Sequence, residues 1–112
     1  MGWAQVPAQP TLAPRARIVC ATLRGEARDG AGDNVQRLVS DFARRVRAKE
    51  SGCLSYVVTR ALGSRTQFAI HARFSSWSAF REHGETAHMR TLLPRLTSLL
   101  AAPVSVEIFL EV

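Results

Sequence analysis

At 112 residues the chain has room for one hydrophobic core and not for two. With 46% hydrophobic and 21% charged residues the composition is that of an ordinary globular domain, and no apolar run approaches the roughly 20 residues needed to cross a bilayer. The formal charge of +6 comes from 14 Arg and the single Lys49, spread from Arg15 to Arg95, with no RNA-binding aromatic run and no DNA-binding motif; this reads as solvated helix surface and not as a nucleic-acid interface, although an anionic small-molecule substrate is compatible with it.

Met1–Pro14 carries Pro7, Pro10 and Pro14 without periodicity, which predicts a flexible arm (residues 1–14) ahead of one domain (15–112). Trp3 in that arm would dock on a partner subunit. The opening lacks a basic start followed by an apolar core, so no secretory signal is expected and the chain is read as cytoplasmic. Cys20 and Cys53 are too few for a disulfide framework and lack metal spacing, which predicts buried, reduced thiols.

Arg15–Arg24 is the first expected strand, apolar on both faces and therefore central and covered twice. Gly25–Gly32 is a loop, and Asp33 should cap a helix over Asn34–Lys49 with Val35, Leu38, Val39, Phe42 and Val46 on its buried stripe. Ser51-Gly52 ends it. Cys53–Leu62 reads as a second strand, and the short turn Gly63–Thr66 makes the third strand, Gln67–Phe74, its antiparallel neighbour. In that third strand Phe68, Ile70, Ala72 and Phe74 share one face, and Ala69, His71 and Arg73 the other. Ser75 and Ser76 precede a short helix with Trp77 and Phe80 on one side and Gly84 as its stop. A longer helix from about Thr86 repeats Met89, Leu92, Leu93, Leu96, Leu99 and Leu100 along one stripe. Pro94 lies within it, either kinking the helix or sitting in its first turns. After Ala101-Ala102-Pro103, Val104–Val112 alternates strictly as a last strand.

The order β-α-β-β-α(α)-β with right-handed crossovers predicts an α+β, ferredoxin-like sandwich: a four-stranded antiparallel sheet with helices on one face. The opposite face would present Val57, His71 and Phe109. A half-apolar open sheet needs a cover, and a second copy is the simplest, so a homodimer burying roughly 2,000 Å² is expected.

Lys49-Glu50-Ser51-Gly52-Cys53-Leu54-Ser55-Tyr56, followed by the strand ending at Phe74 and then by Ser76, Ala79-Phe80, His83 and Ala87-His88-Met89, resembles the antibiotic biosynthesis monooxygenase (ABM) family of small dimeric α/β barrels. That family typically shows an E-x-G-C-x-x-Y join and a run ending H-x-x-x-x-H-[FM]. The resemblance runs from Ile18 to Val112. It implies the ferredoxin-like dimer and, in many members, cofactor-independent oxidation of quinols or polycyclic phenols by O₂. Other members degrade haem, isomerise small signalling molecules or have no assigned activity. The match is partial at the site: Asn, Trp and Tyr, which line the substrate in actinorhodin-pathway members, correspond here to Ile70, Phe74 and Phe80, and none of these donates a hydrogen bond.

The candidate catalytic residues are His88 and His83, five apart across a helix break. Imidazole titrates near neutral pH and suits a base that removes a hydroxyl proton; the plainer reading is a capping or surface histidine. The expected substrate pocket is Ile70, Ala72, Phe74 and Phe80, with Tyr56 and Met89; the same residues would equally serve as core. His71 should face the dimer interface. Two histidines without further ligands argue against a metal, and no cofactor is expected. The implied partners are a second copy and a small aromatic substrate, with neither nucleic acid nor membrane. Two other readings stay open: a haem-binding or haem-degrading member with His88 as axial ligand, and a non-catalytic ligand-binding module.

Overall fold

The computed structural model describes residues 17–112. The expected arm, with Trp3, lies outside the described residues. The elements are β1 (Val19–Glu26), α1 (Gly32–Lys49), β2 (Cys53–Arg60), β3 (Gln67–Phe74), α2 (Trp77–Gly84), α3 (Ala87–Leu99) and β4 (Ser105–Leu110). The strands form one sheet in the order β2-β3-β1-β4, each pair antiparallel. This is the ferredoxin-like α+β arrangement that the sequence predicts.

β1 is central, as its two-sided apolar pattern requires, but it begins at Val19, after Arg17 and Ile18, and it runs on through Gly25 and Glu26; the expected start at Arg15 lies outside the described residues. Those last residues pair with Phe68 and Gln67 of β3, so ladder pairing overrides the weak strand preference of glycine. The ends of β1 and α3 are also tied together. Ala101 N–H donates to Glu26 O at 2.8 Å and Arg28 N–H donates to Leu99 O at 2.8 Å.

The helices cover one face of the sheet. Val19 and Ala21 of β1, Phe68, Ala72 and Phe74 of β3, Val35, Val39 and Val46 of α1, and Leu92 and Leu96 of α3 are all buried. The apolar stripe of α3 is narrower than its sequence suggests, because Leu93 and Leu99 are only half-buried. Pro94 sits in the interior of α3, on its exposed side. The Arg90 carbonyl therefore loses its helical donor where water can replace it.

α1 corrects the expected cap. It starts at Gly32, and Ala31 occupies the capping position with no side-chain hydrogen bond. Asp33 lies instead in the first turn, where its carboxylate accepts from Arg60 Nη1 at 2.9 Å and complements the helix dipole. The hydrogen bond from Arg60, followed by its charge, holds the Asp33 carboxyl below the usual carboxylate range. Gly32 is needed for this junction: a Cβ there would stand 2.3 Å from both Arg60 Nη2 and the Arg65 carbonyl oxygen. Gly32→Ala is expected to lower stability by about 1–3 kcal/mol, because a backbone carbonyl must move. Urea unfolding would show a lower midpoint at unchanged slope. An unchanged midpoint would mean that the junction yields freely.

The other sheet face is open. Val57 and Phe109 are 51% and 56% exposed on it. His71 lies beside Val57 in the register, on that same face as expected, with Nε2 3.3 Å from Thr59 Oγ1. Arg73 pairs with Glu111 at 2.8 Å, and Arg24 with Glu107. The two cysteines are free thiols, but each is half-buried and not buried.

Candidate functional site

The site is assembled where α1 ends. Glu50 is the C-cap of α1, its backbone turning extended while its N–H still reaches Val46 O. Ser51-Gly52 then reverses the chain into β2. Gly52 has to be small, since a Cβ there would lie 2.6 Å from the Ala79 Cβ, so glycine lets α2 close against the turn. α2 is started by Ser76, whose hydroxyl accepts from Ala79 N–H at 3.1 Å. It carries His83 inward on the same face as Trp77 and Phe80. Thr86 joins the helices: its hydroxyl donates to His83 O at 3.0 Å and accepts from Met89 N–H at 3.2 Å. That cap fixes His88 in the first turn of α3.

Both histidines converge on Glu50. His83 Nδ1 lies 2.8 Å from Glu50 Oε1 and 3.0 Å from Oε2, and His88 Nε2 lies 2.5 Å from Oε2. The side chains of His83, His88 and Glu50 are 3%, 11% and 11% exposed, so water competes little for these bonds. Aromatic rings enclose them. Phe42 lies 5.8 Å from the His83 ring and 5.6 Å from that of His88, and Tyr56 and Phe74 lie 5.4 Å and 5.1 Å from His83.

The electrostatics follow from this packing. Burial pushes the Glu50 carboxyl up, but the hydrogen bonds and positive character of His83 and His88 together outweigh it and hold the group below its usual range. Burial, then the Glu50 charge, raises the Cys53 thiol to about 11, so it stays protonated at neutral pH. Burial and the same carboxylate push the Tyr56 phenol well up. An ionised carboxylate only accepts hydrogen bonds. His83 must therefore carry its proton on Nδ1 and His88 on Nε2, which leaves Nδ1 of a neutral His88 with a bare lone pair.

His88 also lines a cleft of about 520 Å³ between α1 and α3, together with Leu38, Phe42, Arg45, Leu92 and Arg95. The expected wall residues lie elsewhere, on the sheet side of the helices. Phe74 and Phe80 are fully buried, with ring centroids 5.5 Å apart in an edge-on contact, and the Trp77 ring lies tilted with its centroid 5.1 Å from that of Phe80. Tyr56, Ala72 and Met89 are buried at 2–4% exposure. Ile70 borders a small apolar hollow of about 40 Å³ with Leu23, Val35, Phe68, Leu96 and Leu100. The structure brings together the two histidines that the sequence singled out and adds a carboxylate between them, Glu50, that it did not. The signal for Glu50 was present in the E-x-G-C-x-x-Y join. Among the described residues no group of three or more His, Cys, Asp or Glu is arranged to hold a metal ion.

Residues 18–95 match the antibiotic biosynthesis monooxygenase family, and the chain belongs to it. Solved structures agree on the fold. A Caulobacter crescentus protein proposed as an antibiotic biosynthesis monooxygenase superposes with a TM-score of 0.84 at 20% identity, over 90% of this chain and 94% of that one. A Mycobacterium tuberculosis protein gives 0.78 at 23% identity, over 85% and 95%. A Nitrosomonas europaea protein, also proposed as an antibiotic biosynthesis monooxygenase, gives 0.81 at 14% identity, over 90% and 96%. At these identities the likeness establishes the architecture alone. No curated protein matches the sequence significantly. No helix among the described residues is long and apolar enough to cross a membrane.

Proposed function

We propose that the protein is a cofactor-independent monooxygenase that oxidises a quinol or polycyclic phenol with O₂, using His88 as the base. The observation that carries this reading is the Glu50 carboxylate shared by two histidines, one of which borders an accessible cleft. Glu50 holds the His88 ring through Nε2 and stabilises the imidazolium that forms when the other nitrogen takes a proton.

In the reaction His88 removes the hydroxyl proton of the phenol. The phenolate passes one electron to O₂, and the resulting radical pair combines at the ring carbon para to the oxygen, giving a peroxide. The outer peroxide oxygen takes the proton from the protonated His88, giving a hydroperoxide; His88 then removes the hydrogen of that carbon as a proton while the O–O bond breaks, and the departing hydroxide takes this second proton to leave as water. The sum is phenol plus O₂ giving quinone plus water, with both atoms of O₂ accounted for. The apolar wall next to this base would be Leu38, Phe42 and Leu92 of the cleft, with Phe74, Phe80, Tyr56, Ala72, Met89 and Ile70 as the buried packing behind it. Because Nε2 of His88 is engaged by Glu50, the base role suits the geometry better than axial ligation of haem.

The test is oxygen uptake with a quinol or naphthol, run beside an anaerobic control. Uptake above the spontaneous rate, with quinone formed only when O₂ is present, is the expected result. Saturable ligand binding with no uptake would replace this reading with that of a non-catalytic binding module, for which the close packing of Phe74 on Phe80 is the supporting observation.

The open sheet face supports a homodimer built through Val57, His71 and Phe109, in a cytoplasmic protein. Val57→Arg combined with Phe109→Arg is expected to convert a dimer into a monomer in sedimentation velocity. A wild-type protein that sediments as a monomer would remove the proposal.

A further inference from the structure

The cleft between α1 and α3 has a composition that the phenol chemistry does not require. Its floor is apolar, with Leu38, Phe42 and Leu92, while Arg37, Arg45 and Arg95 stand along its rim. The rim's carboxylate is neutralised, because Asp41 pairs with Arg44, and Arg37 is engaged by Asn34. The guanidinium groups of Arg45 and Arg95, one from each helix, have no hydrogen-bonding or ion-pair partner among the described residues. Two cations facing a shared apolar floor favour an amphiphilic anion. A volume of about 520 Å³ also falls within the range of small-molecule sites.

We infer that this cleft binds an aromatic carboxylate, its ring system on Leu38, Phe42 and Leu92 and its anionic group between Arg45 and Arg95. The inference rests on the reading of His88 as a base, since His88 closes one side of the cleft and a hydroxyl on the bound ring would lie on its side. Guanidinium groups suit this role because they bind carboxylate by paired, charge-assisted hydrogen bonds. A hydroxylated aromatic acid thus becomes the substrate class, in place of a neutral phenol.

Two probes that differ only in the acid group test this: 1-hydroxy-2-naphthoate and 1-naphthol, with binding measured by calorimetry under anaerobic conditions. The acid is expected to bind about tenfold more tightly at low ionic strength, with the advantage shrinking as salt is added. Arg45→Ala with Arg95→Ala should abolish that advantage, and Arg90→Ala, an exposed arginine of α3 outside the cleft lining, should preserve it. Both substituted side chains are exposed, so the fold is not at risk. Equal affinities for the two probes, or an advantage that survives the double substitution, overturns the inference. The two readings fail separately. Tight acid binding without oxygen uptake removes the monooxygenase and leaves the cleft, whereas oxygen uptake with both probes, bound with equal affinity, leaves the monooxygenase and removes the cleft.

Discussion

Glu50→Gln is expected to cost about 2–4 kcal/mol of folding stability, as a charge-assisted acceptor shared by two buried imidazoles is lost while volume is kept. Glutamine retains one acceptor oxygen, but its amide nitrogen then faces a histidine N–H, donor against donor. The pH dependence gives the sharper signature. The folded-state carboxyl is held below its ordinary value. Its contribution is thus complete above the ordinary carboxylate range and is lost as pH falls through that range and the lower folded value. The gap between wild type and Glu50→Gln should therefore be widest near neutrality and close in acid, where Glu50 is also uncharged. Urea midpoints at a series of pH values measure this. A gap that is constant with pH would show that the carboxylate charge contributes nothing to the fold.

The fold was legible because it depends on patterns that survive packing. The alternation in Gln67–Phe74 assigned Ile70 and Phe74 to the helix side and His71 to the open side, and the register of β3 against β1 and β2 agrees. The short turn before β3 made β2 its neighbour. What escaped was set by contacts between distant segments. Nothing local distinguishes Asp33 as an ion-pair partner from Asp33 as a cap, because Arg60 arrives from another element. The Gly25–Glu26 extension of β1 depends in the same way on the opposite strand.

The site divides along the same line. His83 and His88 stand out because the chain has only three histidines and two fall across one helix break. Glu50 does not stand out, since a glutamate at the end of a basic helix is the expected complement of Arg47 and Lys49. Its role appears only when α2, drawn in by Gly52, sets His83 2.8 Å from it. The cleft was hidden for a related reason. Arg45 and Arg95 are 50 positions apart in sequence and meet only because α1 packs on α3.

His88→Ala is expected to lower kcat/KM for oxygen uptake by about 10²–10⁴-fold, the usual worth of a positioned general base. Its stability cost should be the smaller of the two histidine substitutions. His88 is 11% exposed at the margin of the cleft, and Glu50 keeps its bonds to His83. His83→Ala is the contrast: at 3% exposure, surrounded by Phe42, Tyr56 and Phe74, it would leave a cavity beside a carboxylate and cost about 2–4 kcal/mol. Added imidazole discriminates a chemical role from a structural one. The space vacated by His88 adjoins an accessible cleft, so imidazole should restore part of the uptake in His88→Ala and little in His83→Ala. The restored rate should rise with imidazole concentration and saturate. If His88→Ala keeps wild-type kcat/KM while its urea midpoint falls, the histidine is a strut for Glu50, and the proton must go to some other acceptor.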